Sequence, residues 1–304
     1  MSEACTLEVV HETRYAYGAL VTQADHLGHL EPLADAHQAL LGFELDIEPP
    51  PANRRFVQEA GGARVVFFSL TQPHRALAVR ACSRLRISPR FEALQPERSP
   101  AWERVADALL YRSGQPFEPA VEFSLPSPYV PRLEALRRWA APCFPPSLPV
   151  AEGALALMHK LHREFTFEAA ATDVDTPLAT AFAQKRGVCQ DYAHVLIGAL
   201  RMQGLAARYV SGYLLTRPPE GQAPLVGADA SHAWVQVWCP GTPGLPAEGG
   251  GWLDLDPTND LVPGTDHVRV AVGRDYGDVT PLRGVIHGGG RHLLTVSVDT
   301  RRVA

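Results

Sequence analysis

The stretch RGVCQDYAHVLIGALRMQGL, residues 186–205, decides the reading of this chain. Tyr192, Val195, Leu196, Ala199 and Leu200 recur at helical spacing and lay one apolar stripe along a helix. Gly187 is expected to end the segment before it, and Gly204 to end the helix itself. Cys189 therefore stands at the first turn of a mostly buried helix. Backbone N–H groups at that turn have no partner within the helix. Together with the helix dipole they favour a thiolate and offer donors to an oxyanion. A cysteine so placed is also commonly a small buried hydrophobe, so position alone does not assign it chemistry.

Working outward, the segments that follow read as strands. AARYVSGYLL (206–215), SHAWVQVW (231–238) and GWLDLDPT (251–258) are rich in β-branched and aromatic residues, and Pro257 ends the last of them. A Gly/Pro loop occupies 240–250. HVRVAVGRDYGDV (267–279) and RHLLTVSVDTRRV (291–303) add two more strand-like runs. Upstream, AEGALALMHKLHREF (151–165) is a helix with Ala151, Leu155, Met158, Leu161 and Phe165 on its apolar face. TPLATAFAQKR (176–186) is a second helix, with Thr176 as N-cap and Pro177 in its first position. Helices first and antiparallel strands after make an α+β fold, not the βαβ alternation of a doubly wound sheet.

The first 90 residues differ. Residues 5–17 (CTLEVVHETRYAY), 64–70 (RVVFFSL) and 76–87 (ALAVRACSRLRI) are strand signals. In the last, Leu77, Val79 and Ala81 share one parity and Arg80, Arg84 and Arg86 the other, so one face of that sheet is wet. Residues 1–90 read as a β-rich N-terminal domain, 91–150 as a Pro-rich helical connecting region, and 151–304 as an α+β core with C-terminal strands. Proline recurs throughout the middle region and blocks long helices and central strands there. It still keeps Trp102, Leu109, Leu133 and Trp139, which implies packing rather than a loose linker.

The formal net charge of -5 gives no basic excess to hold a phosphate backbone, so nucleic acid is not the expected partner. There is no long apolar run to span a membrane, and the N-terminus lacks the pattern of a signal peptide, which leads to an expected cytoplasmic location. Cys5, Cys82, Cys143, Cys189 and Cys239 are odd in number and form no CxxC pair, against a disulfide framework or a structural zinc site. HGGGRH (287–292) lacks the GK[ST] ending of a phosphate loop, so no nucleotide cofactor is expected. Its two histidines lack an evident third ligand, so no metal is expected either.

His232 and Asp256 complete a possible site. His232 opens a strand 43 residues after Cys189, outside any apolar periodicity that needs it. A histidine there can take a thiol proton and return it to a leaving amine. Asp256 lies 24 residues further, at the end of the GWLDLD strand, where a carboxylate can orient the imidazole. Asp254 has the same side-chain parity and is its rival. Asp191 and His194 read as support for the nucleophile helix or its core, Trp234 as core, and Arg208, Tyr209 and Ser211 as braces of a neighbouring strand.

The motifs TFEAAATDVDTPL (166–178), RGVCQDYAHVLIGALRMQGLAARYVSGYL (186–214), SHAWVQVW (231–238), GWLDLDPTND (251–260) and HVRVAVGRDYGDVTPLRG (267–284) resemble the bacterial transglutaminase-like superfamily. The N-terminal region, from LEVVHETRYAY to the SPR at 88–90, resembles the β-rich domain that precedes the core in that group. The resemblance implies a papain-like core, with the nucleophile helix packed on an antiparallel sheet. It implies Cys189 as nucleophile, His232 as base and Asp256 as orienting acid. The implied reaction is acyl transfer from a peptide or protein amide through a Cys-thioester. Water as acceptor makes a cysteine peptidase or amidase, which is the expected outcome. The alternatives are an amine acceptor, which makes a protein-glutamine transglutaminase, and a non-catalytic binding or assembly module that keeps the fold. Oligomeric state is not written in the sequence.

Overall fold

The computed structural model describes residues 3–59, 61–114, 116–169, 171–216, 231–246 and 250–303. The chain opens with β1 (Cys5–Gly28), β2 (Gln38–Glu48), β3 (Asn53–Gln58), β4 (Arg64–Leu70) and β5 (His74–Ile87). After these come α1 (Trp102–Ala108), α2 (Glu134–Ala140), α3 (Val150–Glu164), β6 (Thr166–Phe167), α4 (Leu178–Gln184), β7 (Arg186–Gly187) and α5 (Cys189–Met202). The remainder is β8 (Ala207–Leu214), β9 (His232–Trp238), β10 (Trp252–Leu255), β11 (His267–Gly273), α6 (Tyr276–Val279), β12 (Leu282–Gly288) and β13 (His292–Val303). The fold is α+β, as expected.

The N-terminal sheet runs β2-β5-β1-β4-β3, with β12 and β13 also paired to β1. β1 is long enough to serve two sets of neighbours. Its first part, from Cys5 to Tyr17, lies between β5 and β13, and its second, to Gly28, between β4 and β12. Register shifts after Ala16 and after Val21 mark the change of partners. The expected wet face is there: Leu77, Val79 and Ala81 are buried while Arg80, Arg84 and Arg86 are exposed.

The last two strands pair away from the sheet that precedes them in sequence. Residues 282–303 follow the catalytic core in sequence, but β12 and β13 return to the N-terminal sheet rather than extending the core's own. The physical reason is a long β1 whose free edge needs a partner. The 91–150 region packs into the core as well. Val105, Leu109, Ala120, Val130, Leu136, Ala140 and Phe144 share one buried cluster with α3 and α5.

The second sheet runs β10-β9-β8-β11, all antiparallel. α5 covers one of its faces, with Val195, Leu196, Ala199 and Leu200 among Val235, Val237, Leu253 and Leu255. The N-terminal sheet covers the other: Leu7, Val9, Leu85, Ile87 and Val298 meet Tyr213, Val268 and Val270. Burial on both faces explains why every residue of HAWVQVW in β9 is buried. α5 ends as read, with Gly204 in left-handed backbone at φ 81° and the N–H of Leu205 donating to the Leu200 carbonyl. No helix among the described residues is long and apolar enough to cross a membrane.

Val298 on β13 is fully buried between the two sheets. Val298→Asp should therefore lower the unfolding free energy by roughly 3–5 kcal/mol, as an unpaired charge in a dry interface does. Urea unfolding followed by circular dichroism measures it. Wild-type stability in this variant would mean that β13 does not dock as described.

Candidate active site

Cys189 opens α5 and is only part buried. The turn that presents it is built around Asp191. The Val188 N–H and the Thr172 hydroxyl donate to Asp191 Oδ2 at 2.8 and 2.6 Å, so the carboxylate caps the helix and ties down the 166–178 motif. A Cβ at Gly187 would overlap that carboxylate, which is why glycine stands there. The preceding helix α4 ends earlier than expected. Lys185 takes the left-handed conformation at φ 51°, and Gly187 passes into β7. Gln190 Nε2 donates to the Val174 carbonyl at 2.9 Å and fixes the same loop from the other side.

His232 is the first residue of β9, and Asp256 follows directly on β10. Antiparallel pairing of these strands brings the two to one end of the sheet. His232 Nε2–H donates to Asp256 Oδ2 at 2.8 Å. Cys189 lies near enough to raise the His232 pKa, and Nδ1 is the ring nitrogen that Asp256 leaves free. Of the three residues read from the sequence, His232 and Asp256 thus form a hydrogen-bonded pair, and Cys189 stands near the imidazole at the start of α5. Asp254 has another job: it accepts from Trp234 Nε1 at 3.2 Å and from Gln236 Nε2, fully buried on the same face.

The carboxylate of Asp256 is the most heavily bonded group of the site. Oδ2 accepts from His232, from His267 Nε2 at 3.0 Å and from Asn259 Nδ2 at 2.8 Å. Oδ1 accepts from the N–H groups of Thr258 and Asn259 at 3.0 and 3.2 Å. His267 and Asn259 are additions to the sequence reading. Each carried a signal: a histidine opening a strand, as His232 does, and an asparagine three residues past the aspartate. His232, Asp256 and His267 are also a group whose ligand-type atoms lie within 4.8 Å of one another. The spacing of both Nε2 atoms from Oδ2 is that of hydrogen bonds, and Asp256 has every lone pair engaged without a metal.

The electrostatics follow from these contacts. For Asp256, burial favours the neutral form, but the hydrogen bonds and charges of His232 and His267 outweigh it and hold its pKa far below the usual range. For His232, burial favours the neutral ring, but the hydrogen bond to Asp256 and the nearness of the Asp256 and Cys189 side chains raise its pKa to about 10. His194, fully enclosed, goes the other way, to about 4, because burial dominates. It accepts the Tyr276 N–H at 3.2 Å and stacks on Tyr129, which the Pro-rich region supplies. His194 and Asp191 are thus supports, as read.

Sequence patterns of two related groups match the chain: the bacterial transglutaminase-like N-terminal region over residues 7–86 and the Transglutaminase-like superfamily over 137–257. An uncharacterized protein of Mycobacterium tuberculosis is 38% identical, over 96% of this chain and 91% of its own length. The chain belongs to the transglutaminase-like superfamily. This superfamily member also shares its fold with a crystal structure from Cytophaga hutchinsonii, described as a candidate cysteine protease. That match has a TM-score of 0.73 at 19% identity and covers 100% of this chain and 92% of the other. A protein-glutamine gamma-glutamyltransferase of Pseudomonas aeruginosa is 33% identical over 112 residues, 36% of this chain and 16% of that protein. Family, fold and the Cys–His–Asp arrangement together make this superfamily member a cysteine-dependent enzyme.

The raised His232 pKa has a definite sign. Its contribution to stability is complete below the unfolded histidine value of about 6.5 and fades as pH rises through the folded value. That folded value is about 10. That of Asp256 is complete above the unfolded carboxylate value of about 3.9 and is lost as pH falls toward its depressed folded value. NMR titration of labelled imidazoles should find His232 still protonated at pH 8. Asp256→Asn and Cys189→Ala should each move its midpoint downward. A wild-type midpoint near 6.5 would show that the imidazole is not held between two negative groups.

Proposed function

We propose that Cys189 attacks an amide carbonyl of a peptide or protein, that a thioester forms, and that water resolves it. The observation that carries this reading is the imidazole of His232 bonded through Nε2 to Asp256, with Cys189 at the start of α5 near enough to raise its pKa. The proton that Cys189 gives up rests on the imidazole of His232 before attack, so the sulfur bonds to the carbonyl carbon as a thiolate. The N–H groups of the first turn of α5 face the developing oxyanion. The protonated imidazole then gives its proton to the leaving nitrogen, and the C–N bond breaks. In the second half His232 deprotonates the attacking water, the thioester opens, and the acid leaves.

Hydrolysis is favoured because Cys189 is part exposed, so water reaches the thioester. Apolar side chains at the rim suit a peptide. Phe167, Val174 and Leu261 are exposed, and each belongs to a segment joined to the machinery. Phe167 pairs with Gly187, the Val174 carbonyl receives Gln190, and Leu261 bridges Asp256. Transfer to an amine, the activity ascribed to the Pseudomonas relative, uses the same first half and differs in the acceptor.

The test is a rate series on an unstructured protein substrate with folding checked in parallel. Cys189→Ala should abolish turnover, and His232→Ala should lower it by about a thousandfold. Asp256→Asn should keep more activity than Asp256→Ala, because the amide oxygen still accepts the imidazole N–H. Asp254→Asn should cost stability more than rate. Ammonia or new amino termini without incorporation of a labelled primary amine mark hydrolysis. Efficient incorporation of the amine at neutral pH would replace water by amine as acceptor, and normal rates in His232→Ala would remove the mechanism.

A further inference from the structure

A cavity opens on the face of the catalytic sheet turned away from α5. Residues 232, 234 and 236 of β9 point to one side, so Gln236 sits roughly 13 Å along the strand from His232. Around Gln236 a cavity of about 450 Å³ opens between the sheet and the 33–37 loop of the N-terminal domain. The guanidinium groups of Arg90, Arg208 and Arg269 line it, and Cys189, His232 and Asp256 do not.

The charges around this cavity do not balance. Asp35 receives Arg90 Nη2 on both oxygens, at 2.9 and 3.0 Å, and also pairs with Arg269. The buried Asp254, behind Gln236, faces Arg208 and Arg90 through space. Three guanidinium groups thus share two carboxylates among the described residues. Of the three, Arg208 is the one without an ion-pair contact among the described residues. Its guanidinium carbon lies over Trp252, 4.1 Å from the ring centroid, and its Nε–H donates to Gln236 Oε1 at 2.7 Å. Stacking and that single bond fix its plane and leave Nη1 and Nη2 without a hydrogen-bond acceptor among the described residues. Arg269 Nε is buried and likewise lacks a partner. A surplus cation held rigid in a partly dry cavity is costly on its own, and planar guanidinium edges match oxyanions in a bidentate way.

We propose that this cavity binds a small molecule through a carboxylate or phosphate group seated on the Nη edge of Arg208, with Arg269 beside it. The volume falls in the range of small-ligand sites, so the ligand is a metabolite-sized anion and not a macromolecule. The site is independent of the reaction at Cys189.

The test uses the full chain in thermal melts and calorimetric titrations with inorganic phosphate and with succinate, at ionic strength held constant with sodium chloride. Saturable binding of either anion, with a matching rise in melting temperature, is the expected result. The tighter of the two names the ligand's group. Arg208→Gln should weaken binding by about tenfold or more while Cys189 alkylation stays unchanged. Ala36→Glu is a second variant, because Ala36 is exposed and lines the cavity without touching an arginine pair. Its added negative charge should weaken binding too, in a protein whose fold is not at risk. No saturable binding of either anion at millimolar concentration would overturn the proposal. So would equal binding in wild type and both variants.

Discussion

A buried carboxylate organises this molecule. Asp256 is 0% exposed, and taking an ionised carboxylate out of water costs several kcal/mol unless donors replace the solvent. Five donors do so: two imidazoles, one side-chain amide and two backbone N–H groups. They come from the start of β9, the turn after β10 and the start of β11, so three strand ends must converge on one point. The order β10-β9-β8-β11 places His267 at the same end of the sheet as His232. Once the carboxylate is held negative, the imidazole of His232 is held positive, and the cysteine side chain at the start of α5 meets a cation of fixed orientation.

The nucleophile depends on a second carboxylate used differently. Asp191 caps the turn and anchors Thr172, and it closes on backbone that only a glycine at position 187 leaves open. The helix it starts is buried almost all round, because the sheet lies on one side and the Pro-rich region on another. The N-terminal domain therefore does more than precede the core. It seals the far face of the catalytic sheet through Leu7, Val9 and Val298, and His11 Nδ1 meets the Tyr213 hydroxyl at 2.9 Å across the seam. Burial pulls the His11 pKa down to about 4, which keeps that seam uncharged at neutral pH.

Much of this was legible in the sequence because it is local. A helix period with glycine beyond its end located α5, β-branched and aromatic content located β4, and alternation located β5. Cys189, His232 and Asp256 announce themselves as chemistry-bearing residues at element ends. The residues that escaped are set by long-range pairing. β12 and β13 show strand character or none, but nothing in their own pattern says that they join β1 some 280 residues away. β2 and β3 were missed because edge strands bury little and show weak alternation. His267 and Asn259 became part of the site only when the sheet order brought them to Asp256. Asp254 and Asp256 share a parity, and their different donors, Trp234 and Gln236 for one and the imidazoles for the other, are properties of packing.

The central claim is that Cys189 carries the acyl group. Intact-protein mass spectrometry after acid quench during turnover, followed by peptide mapping, reads this directly. The account predicts an acyl adduct on Cys189 alone, released by hydroxylamine at neutral pH as a thioester is. In His232→Ala the adduct should form far more slowly. Turnover without any adduct on Cys189, or an adduct on Cys5, Cys82, Cys143 or Cys239 instead, would contradict it.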